Sequence, residues 1–484
     1  MNNQKLDFLK NTKFILIVFF VLGLFYRILF IHSIRLDYDE GLFLVIGLVN
    51  RNEGLLEGII TNFPNSYGIP LDHPPLVPLF YSLLYSFFPF SYITGRLANV
   101  ILSSFSIILI YFIVREIWDY KTGLVAAFIV TIDPTLVMGI WMTMDALTNL
   151  VFCISCFITI KAIKSNDIKW HLIAGISFGV CMLTKWTLVF LPISYVAYYL
   201  YYSIMINKNN PLESIRNVII SASIAFSIFL PWFIWMGVSG VFPRIFFLAG
   251  YLTRLTNPLN NTFQTWRYSP FILFIAIFSF MYYFLNHKET RLPLLYSLLV
   301  IYPLFLLFPR YYDYATILYL FIILGAKSTT DLFDQAFSFF IKIRQSIFNL
   351  DNLQVDFHIL LSTTIIILLV GVNNGIIVQE VIFEKDQTIQ QTVQYIKGNW
   401  SENTTIISSP QFAALLIPHP WISNYHGKLG SNYILIYTPI DEYTPNIIEG
   451  VKKGFITEND TTYLFIRDTE INDVTIFQIA LNQT

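Results

Sequence analysis

Three carboxylates stand within four residues in the segment Arg35-Leu36-Asp37-Tyr38-Asp39-Glu40-Gly41, directly after a long apolar run. Acids held together at such a place can take a proton from a substrate or ligate a divalent cation, and standing alone they would also read as the solvated end of a loop. A second cluster follows in Asp72-His73-Pro74-Pro75-Leu76, where another acid adjoins a candidate metal ligand. A divalent ion held by Asp39, Asp72 and His73 is therefore one reading of these groups, although their dispersal in sequence does not distinguish it from separate surface residues. The cations fall at the borders of apolar runs: Arg96 in Gly95-Arg96-Leu97, Lys185 in Leu183-Thr184-Lys185, with the acid Asp145 in Met144-Asp145-Ala146 at the start of another run. An ionisable residue near membrane depth is a functional candidate by default, and a snorkelling anchor is the competing explanation.

The elements that must position these residues are membrane helices. Hydrophobic residues make up 55% of the chain and charged residues 13%, against roughly 25% charged in a soluble domain, so a water-soluble fold is excluded. A formal net charge of -1 leaves no footprint for nucleic acid. Apolar runs at 14–31, 97–114, 124–140, 147–163, 170–183, 188–206, 218–236, 271–285, 292–308, 315–326 and 358–372 predict about 11 transmembrane helices. The first run lacks a small-residue cleavage site after it and reads as a retained span.

Charge sorts the connections into two sides. Arg115 and Lys121, then Lys161, Lys164 and Lys169, then Lys208 and Arg216, then Lys288 and Arg291, then Lys327, Lys342 and Arg344 fall on one side, the cytoplasmic one by the excess of basic residues. This puts the N-terminus in the cytoplasm. The opposite side receives 37–95, 141–145, 237–269, 310–314 and everything after about Gly375, including all five glycosylation sequons at Asn260, Asn399, Asn403, Asn459 and Asn482. The apolar run 73–89 is short and proline-flanked, and reads as a re-entrant or interfacial helix. A cytoplasmic amphipathic stretch with Phe333, Phe337, Phe340 and Ile341 reads as interfacial too.

Two domains are expected: an all-α polytopic membrane domain over 1–376, with the acid-bearing outer loop at 32–95, and a small outer α/β domain over 377–484. In the latter, strands are predicted at 404–408, 433–437 and 463–467, and helices at 387–397, 411–417 and 446–453. Cys153, Cys156 and Cys181 all lie in apolar runs and read as small core residues despite the C-x-x-C spacing of the first two.

The order of these pieces carries a resemblance. Asp39-Glu40 after the first span, Asp72-His73-Pro74-Pro75-Leu76, Gly95-Arg96-Leu97, Thr131-Ile132-Asp133-Pro134, Met144-Asp145-Ala146, Leu183-Thr184-Lys185 and Pro231-Trp232 follow one another. In that order they resemble the protein O-mannosyltransferase and aminoarabinose-lipid transferase superfamily of GT-C type membrane glycosyltransferases, over roughly the first 330 residues. The resemblance implies that Asp39 is the general base or acceptor-orienting carboxylate, with Glu40 and Asp72 in support. It implies that Lys185 lies near the lipid-phosphate site, that Asp145 is an acid at the outer end of a span, and that Arg310 occupies a basic segment before a late span. His73 stands where the family often has a lysine or another residue.

The implied chemistry is coherent in itself. A polyprenyl or dolichyl phosphate is already a good leaving group, so sugar transfer from it needs a base for the acceptor and cations for the departing phosphate, and no dedicated acid. Asp39 can supply the first; Lys185, Arg96, Arg254 or Arg310 can supply the second. One base acting alone would invert the anomeric centre. The acceptor would be a protein, a glycan or a lipid. A polytopic transporter or flippase is the alternative class, and it would be expected to show two related halves with broken spans, which the sequence lacks.

Overall fold

The ninth residue of the run 124–140, Ile132, is followed by Asp133-Pro134, and there the backbone turns extended, as it must before proline. The structure, a computed structural model, describes residues 3–31, 40, 74–133, 136, 145–206, 208, 210–238, 318–323, 325–327, 329–331, 334, 388–401, 404–407, 421–422, 433–437, 455–458, 461–471 and 474–482. The chain divides into two units, one of Met1–Ile31, Leu97–Ile140 and Met144–Phe383, the other of His32–Arg96, Trp141–Thr143 and Glu384–Thr484.

The first unit is helical. Its helices are α1 (Asn3–Leu29), most of α3 (Tyr92–Ile117), α4 (Tyr120–Ile132), α5 (Asp145–Ser165), α6 (Ile168–Met182), α7 (Phe190–Leu200) and α8 (Pro211–Val238). The intervening helix α2 (Leu76–Phe87) belongs to the second unit. Four of the described helices, α1, α3, α5 and α8, contain apolar stretches long enough to cross a membrane. Within the expected span 124–140, helix α4 ends at Ile132, for the proline reason just given, and beyond Asp133 only Leu136, again helical, is among the described residues. The expected span 188–206 is divided into a 3-10 turn (Trp186–Val189), α7 and a π-helical turn (Tyr201–Ile206). Helix α7 begins just before Pro192, whose missing N–H is harmless only in a first turn. Run 315–326 is helical where described, whereas 271–285, 292–308 and 358–372 lie outside the described residues.

Polar side chains start the helices. Asp119 accepts from the Thr122 amide at 2.9 Å and its hydroxyl at 3.1 Å, Asp167 from the Lys169 amide at 3.0 Å, and Asn210 from the Leu212 amide at 3.0 Å ahead of Pro211. Helices α6 and α8 pack through small residues. A Cβ at Gly175 would stand 2.6 Å from the Ser221 carbonyl oxygen, and one at Gly179 would stand 2.7 Å from Ile228 Cβ. The Gly175-x-x-x-Gly179 spacing on α6 and Ser221-x-x-x-Ala225 on α8 let the two backbones approach.

At one end of this unit the basic residues gather. Lys161 Nζ donates to Glu116 Oε1 at 2.7 Å, Lys164 Nζ donates to the Glu116 carbonyl, Lys327 lies 3.9 Å from Asp119, and Lys121 lies 4.0 Å from Asp334. Four of the basic residues grouped on one side by the loop pattern therefore share one end of the bundle. Near it, His171 Nδ1 and the Tyr195 hydroxyl share a 2.5 Å hydrogen bond, Ser221 donates to the His171 carbonyl at 2.8 Å, and Asn217 donates to the Tyr199 hydroxyl at 3.0 Å. These bonds fasten α6, α7 and α8 together. The three cysteines are buried and unbridged.

The second unit contains α2, helix α9 (Thr388–Asn399) and a six-stranded sheet of β1 (Thr405–Ile407), β2 (Trp421–Ile422), β3 (Tyr433–Tyr437), β4 (Phe455–Glu458), β5 (Thr461–Ile471) and β6 (Val474–Asn482). Strand order is β2-β1-β3-β6-β5-β4, parallel among the first three and antiparallel among the rest. Register places Ile406 and Ile476 on one face and Leu435 on the other, and all three are fully buried, so the centre of the sheet is shielded on both faces. Strands β2, β4 and β6 were not expected from the sequence. The predicted helices 411–417 and 446–453 lie outside the described residues.

Candidate active site

Glu40 is the one described residue of the first acidic cluster, and it is fully buried. Arg96, in the first turn and a half of α3, meets it with a two-pronged grip: Nε donates to Oε1 at 2.5 Å and Nη2 to Oε2 at 2.6 Å. Side-chain exposure is 1% for Arg96 and 0% for Glu40, so the pair is outside the reach of solvent screening. The guanidinium also stands over the Tyr92 ring, 5.3 Å from its centroid. Helix α2 supplies the neighbouring wall. Tyr85 is buried and donates its hydroxyl to the Ser91 carbonyl at 3.1 Å. Burial first, and then the Glu40 carboxylate, push that hydroxyl far above its ordinary pKa, so it stays a neutral donor.

The second constellation belongs to the helical unit. Asp145 opens α5, and Lys185 lies in the turn that follows α6; the two helices form a hairpin, so these ends lie together. Lys185 Nζ donates to Asp145 Oδ1 at 2.9 Å, with both side chains about nine-tenths buried. The turn is rigid: the Lys185 amide donates to the Cys181 carbonyl at 3.2 Å, the Thr184 hydroxyl to the same oxygen at 2.7 Å, and the Leu188 amide to the Lys185 carbonyl at 3.0 Å. The carboxylate of Asp145 is further favoured by its place in the first turn of a helix, where unpaired amides carry partial positive charge. A snorkelling anchor would extend to water, and this ammonium turns inward to an acid.

A third group went unread in the sequence. Arg27, in the last turn of α1, is completely buried and donates to the Gly23 carbonyl at 3.1 Å and the Val130 carbonyl, in the last turn of α4, at 3.0 Å. Asp133, buried as well, accepts from the Leu136 amide at 3.0 Å. The signal available was a lone arginine inside an apolar span. Asp39, Asp72, His73, Arg254 and Arg310 lie outside the described residues. The expected metal site at Asp39, Asp72 and His73 thus falls there too; among the described residues no group of three or more His, Cys, Asp or Glu side chains is arranged to hold an ion.

The family model of dolichyl-phosphate-mannose-protein mannosyltransferases matches residues 72–235, about a third of the chain. ArnT from Cupriavidus metallidurans superposes with a TM-score of 0.59 at 12% identity, covering 95% of this chain and 97% of that one. The same ArnT bound to undecaprenyl phosphate gives 0.57. The Archaeoglobus fulgidus oligosaccharyltransferase, tethered to an acceptor peptide, gives 0.57 at 13% identity over 85% of this chain, which spans only 63% of the oligosaccharyltransferase's length. No curated protein sequence matches the chain. The fold is that of the GT-C membrane glycosyltransferases, the superfamily anticipated from the ordered motifs. Within it, the sequence match is to the mannosyltransferase family over the segment from Asp72 to Trp235.

Proposed function

We propose that this chain transfers a sugar from a polyprenyl-phosphate or dolichyl-phosphate donor to a protein, glycan or lipid acceptor at the outer face of the membrane, with inversion at the anomeric carbon. The observation that carries this reading is the buried Glu40–Arg96 pair, because it pins the residue adjacent to Asp39. Asp39 accepts the proton of the acceptor nucleophile, which attacks the anomeric carbon. The bond from that carbon to the phosphate oxygen breaks, and the lipid phosphate leaves with the electron pair. Lys185, oriented by Asp145, offsets the charge that builds on the phosphate. Arg254 and Arg310 are further candidates for that phosphate, whereas Arg96 is assigned to Glu40. Asp72 supports Asp39, and His73 takes part in substrate binding.

Residues 1–376 form the catalytic membrane domain and 377–484 an outer domain, with the N-terminus cytoplasmic. Support for the donor class comes from the neighbours of like fold, one solved with undecaprenyl phosphate and another with dolichol phosphate. The purified chain in nanodiscs, given a panel of radiolabelled polyprenyl-phosphate sugars and candidate acceptors, should form a glycosylated acceptor of inverted configuration. Transport of a lipid-linked sugar across vesicles, with no transfer from any donor, would replace this reading with a flippase.

A further inference from the structure

The sequence motif Pro231-Trp232 has no part in the mechanism above, yet the fold gives it a place. Helix α8 presents Ser221, Ala225 and Ile228 to Gly175 and Gly179 of α6. The side chains rise along the two helices in the same direction, since Gly175 meets Ser221 and Gly179 meets Ile228. Trp232 continues this stripe of α8, four residues and about 6 Å beyond Ile228. Helix α6 ends only three residues beyond Gly179, at Met182, and the turn bearing Lys185 follows. Trp232 therefore stands at the level of the Lys185–Asp145 pair, on the α6-facing side.

Its burial excludes the ordinary reason for a tryptophan at the end of a span. An interfacial anchor lies among lipid headgroups, but Trp232 is 8% exposed, while its neighbours Phe233 and Ile234 are 41% and 55% exposed on the other face. Trp235 stacks on it with centroids 4.5 Å apart and an interplanar angle of 17°, which fixes the orientation of the indole. The indole Nε1–H is buried and finds no hydrogen-bond partner among the described residues. A buried donor left unmatched is costly, and a ligand that supplies the acceptor removes that cost. Since an indole donates and cannot accept, the partner must offer an acceptor, and an ammonium at the same level of the bundle favours an anionic one.

We propose that Trp232 is a donor-site residue whose indole N–H hydrogen-bonds a phosphate oxygen of the lipid-linked donor beside Lys185. The assignment rests on the polyprenyl-phosphate reading above and adds to it the residue that recognises the phosphate from the α8 side. Paired with Lys185, the N–H gives the phosphate a directional contact in addition to a point charge. It would thereby distinguish a phosphorylated polyprenol from the free alcohol.

The test uses the full chain in nanodiscs, with undecaprenyl phosphate, undecaprenol and inorganic phosphate as probes. Wild type should bind the phosphorylated lipid more tightly than the alcohol. Trp232→Phe, which keeps an aromatic ring and removes the N–H, should weaken undecaprenyl phosphate about ten- to a hundredfold and leave undecaprenol unchanged. Equal losses for both lipids, or none for either, would overturn the inference while leaving the donor reading intact. Failure of wild type to prefer undecaprenyl phosphate would defeat the donor reading itself. A measurement on wild type alone guards against misfolding of the variant: with 15N-tryptophan, one of the nine indole resonances should move downfield with undecaprenyl phosphate and with neither undecaprenol nor the same concentration of inorganic phosphate. No movement, or equal movement with inorganic phosphate, overturns the assignment.

Discussion

Glu40 and Arg96, separated by 56 residues of sequence, are joined by two parallel hydrogen bonds of 2.5 and 2.6 Å in a site closed to solvent. A planar guanidinium facing both oxygens of a carboxylate fixes orientation as well as distance, which lysine cannot do. The first loop is thus tied to the start of α3 one residue after Asp39. That is a positioning device, and its consequences for stability and for turnover can be separated.

Removing one partner leaves a buried charge without its counter-ion. Arg96→Met and Glu40→Leu should each destabilise the folded protein by about 3–5 kcal/mol, whereas the double replacement by apolar side chains should recover most of that loss. Thermal unfolding in nanodiscs measures this. The double variant, though stable, should transfer sugar poorly because the loop is no longer aimed. A stable double variant with normal turnover would show the pair to be structural only.

Lys185 and Asp145 should separate differently. Lys185→Met is expected to weaken binding of the lipid-phosphate donor about ten- to a hundredfold, the worth of a charge-assisted contact. Asp145→Asn should cost less, since it removes the partner that orients the ammonium and leaves the ammonium in place. Titration of transfer rate against donor concentration distinguishes the two, and an unchanged donor dependence in Lys185→Met would end its role at the phosphate.

The close approach of α6 and α8 sets a packing limit. A Cβ at Gly179 would meet Ile228 Cβ at 2.7 Å and the Ala225 carbonyl at 3.0 Å, so Gly179→Leu should destabilise the helix pair by about 1–3 kcal/mol through overpacking. Gly398, near the end of α9, is the contrast: a Cβ there meets nothing within 4 Å, and Gly398→Ala should be neutral or slightly stabilising. Unfolding midpoints of the two variants should therefore move apart, and a Gly179→Leu protein as stable as wild type would mean that the helices do not approach as described.

The contrast between what could and could not be read in the sequence follows from locality. Helices α1, α3, α5 and α8 were visible because twenty apolar residues in a row have few other solutions. The strand Tyr433–Tyr437 was visible as a short apolar and aromatic run. Strand β6 lies between β3 and β5, and its sequence carries apolar residues at both alternations, so the period of two disappears. The candidate cations Arg96 and Lys185 were found as charged residues at the borders of apolar runs. Their partners were not paired to them, since separations of 56 and 40 residues carry no local signal. Arg96 was accordingly expected at the donor phosphate, and the structure joins it to Glu40. Arg27 is visible in the sequence only as a lone arginine within an apolar span, and its carbonyl partner Val130 lies 103 residues away, beyond any local signal.

The sharpest expectation concerns Asp39. The residue next to it is held by Arg96, and the position follows the first span, where a lipid-borne phosphate and a water-borne acceptor can meet. Asparagine keeps the shape and hydrogen bonding of aspartate but cannot accept a proton at neutral pH. If Asp39 is the general base, Asp39→Asn should lower turnover by about 10²–10⁴-fold, the range typical of that role. Donor binding should change much less, because the base acts on the acceptor. Glu40→Gln should behave otherwise: it weakens the grip of Arg96 and should reduce stability and turnover together. Asp72→Asn should cost less turnover than Asp39→Asn if Asp72 only orients the acceptor. All three variants belong in one nanodisc series, with transfer rate, donor affinity and unfolding midpoint measured separately. Near-normal transfer by Asp39→Asn together with loss in Asp72→Asn would move the base to Asp72 and leave the Asp39-Glu40 pair as the anchor of the loop.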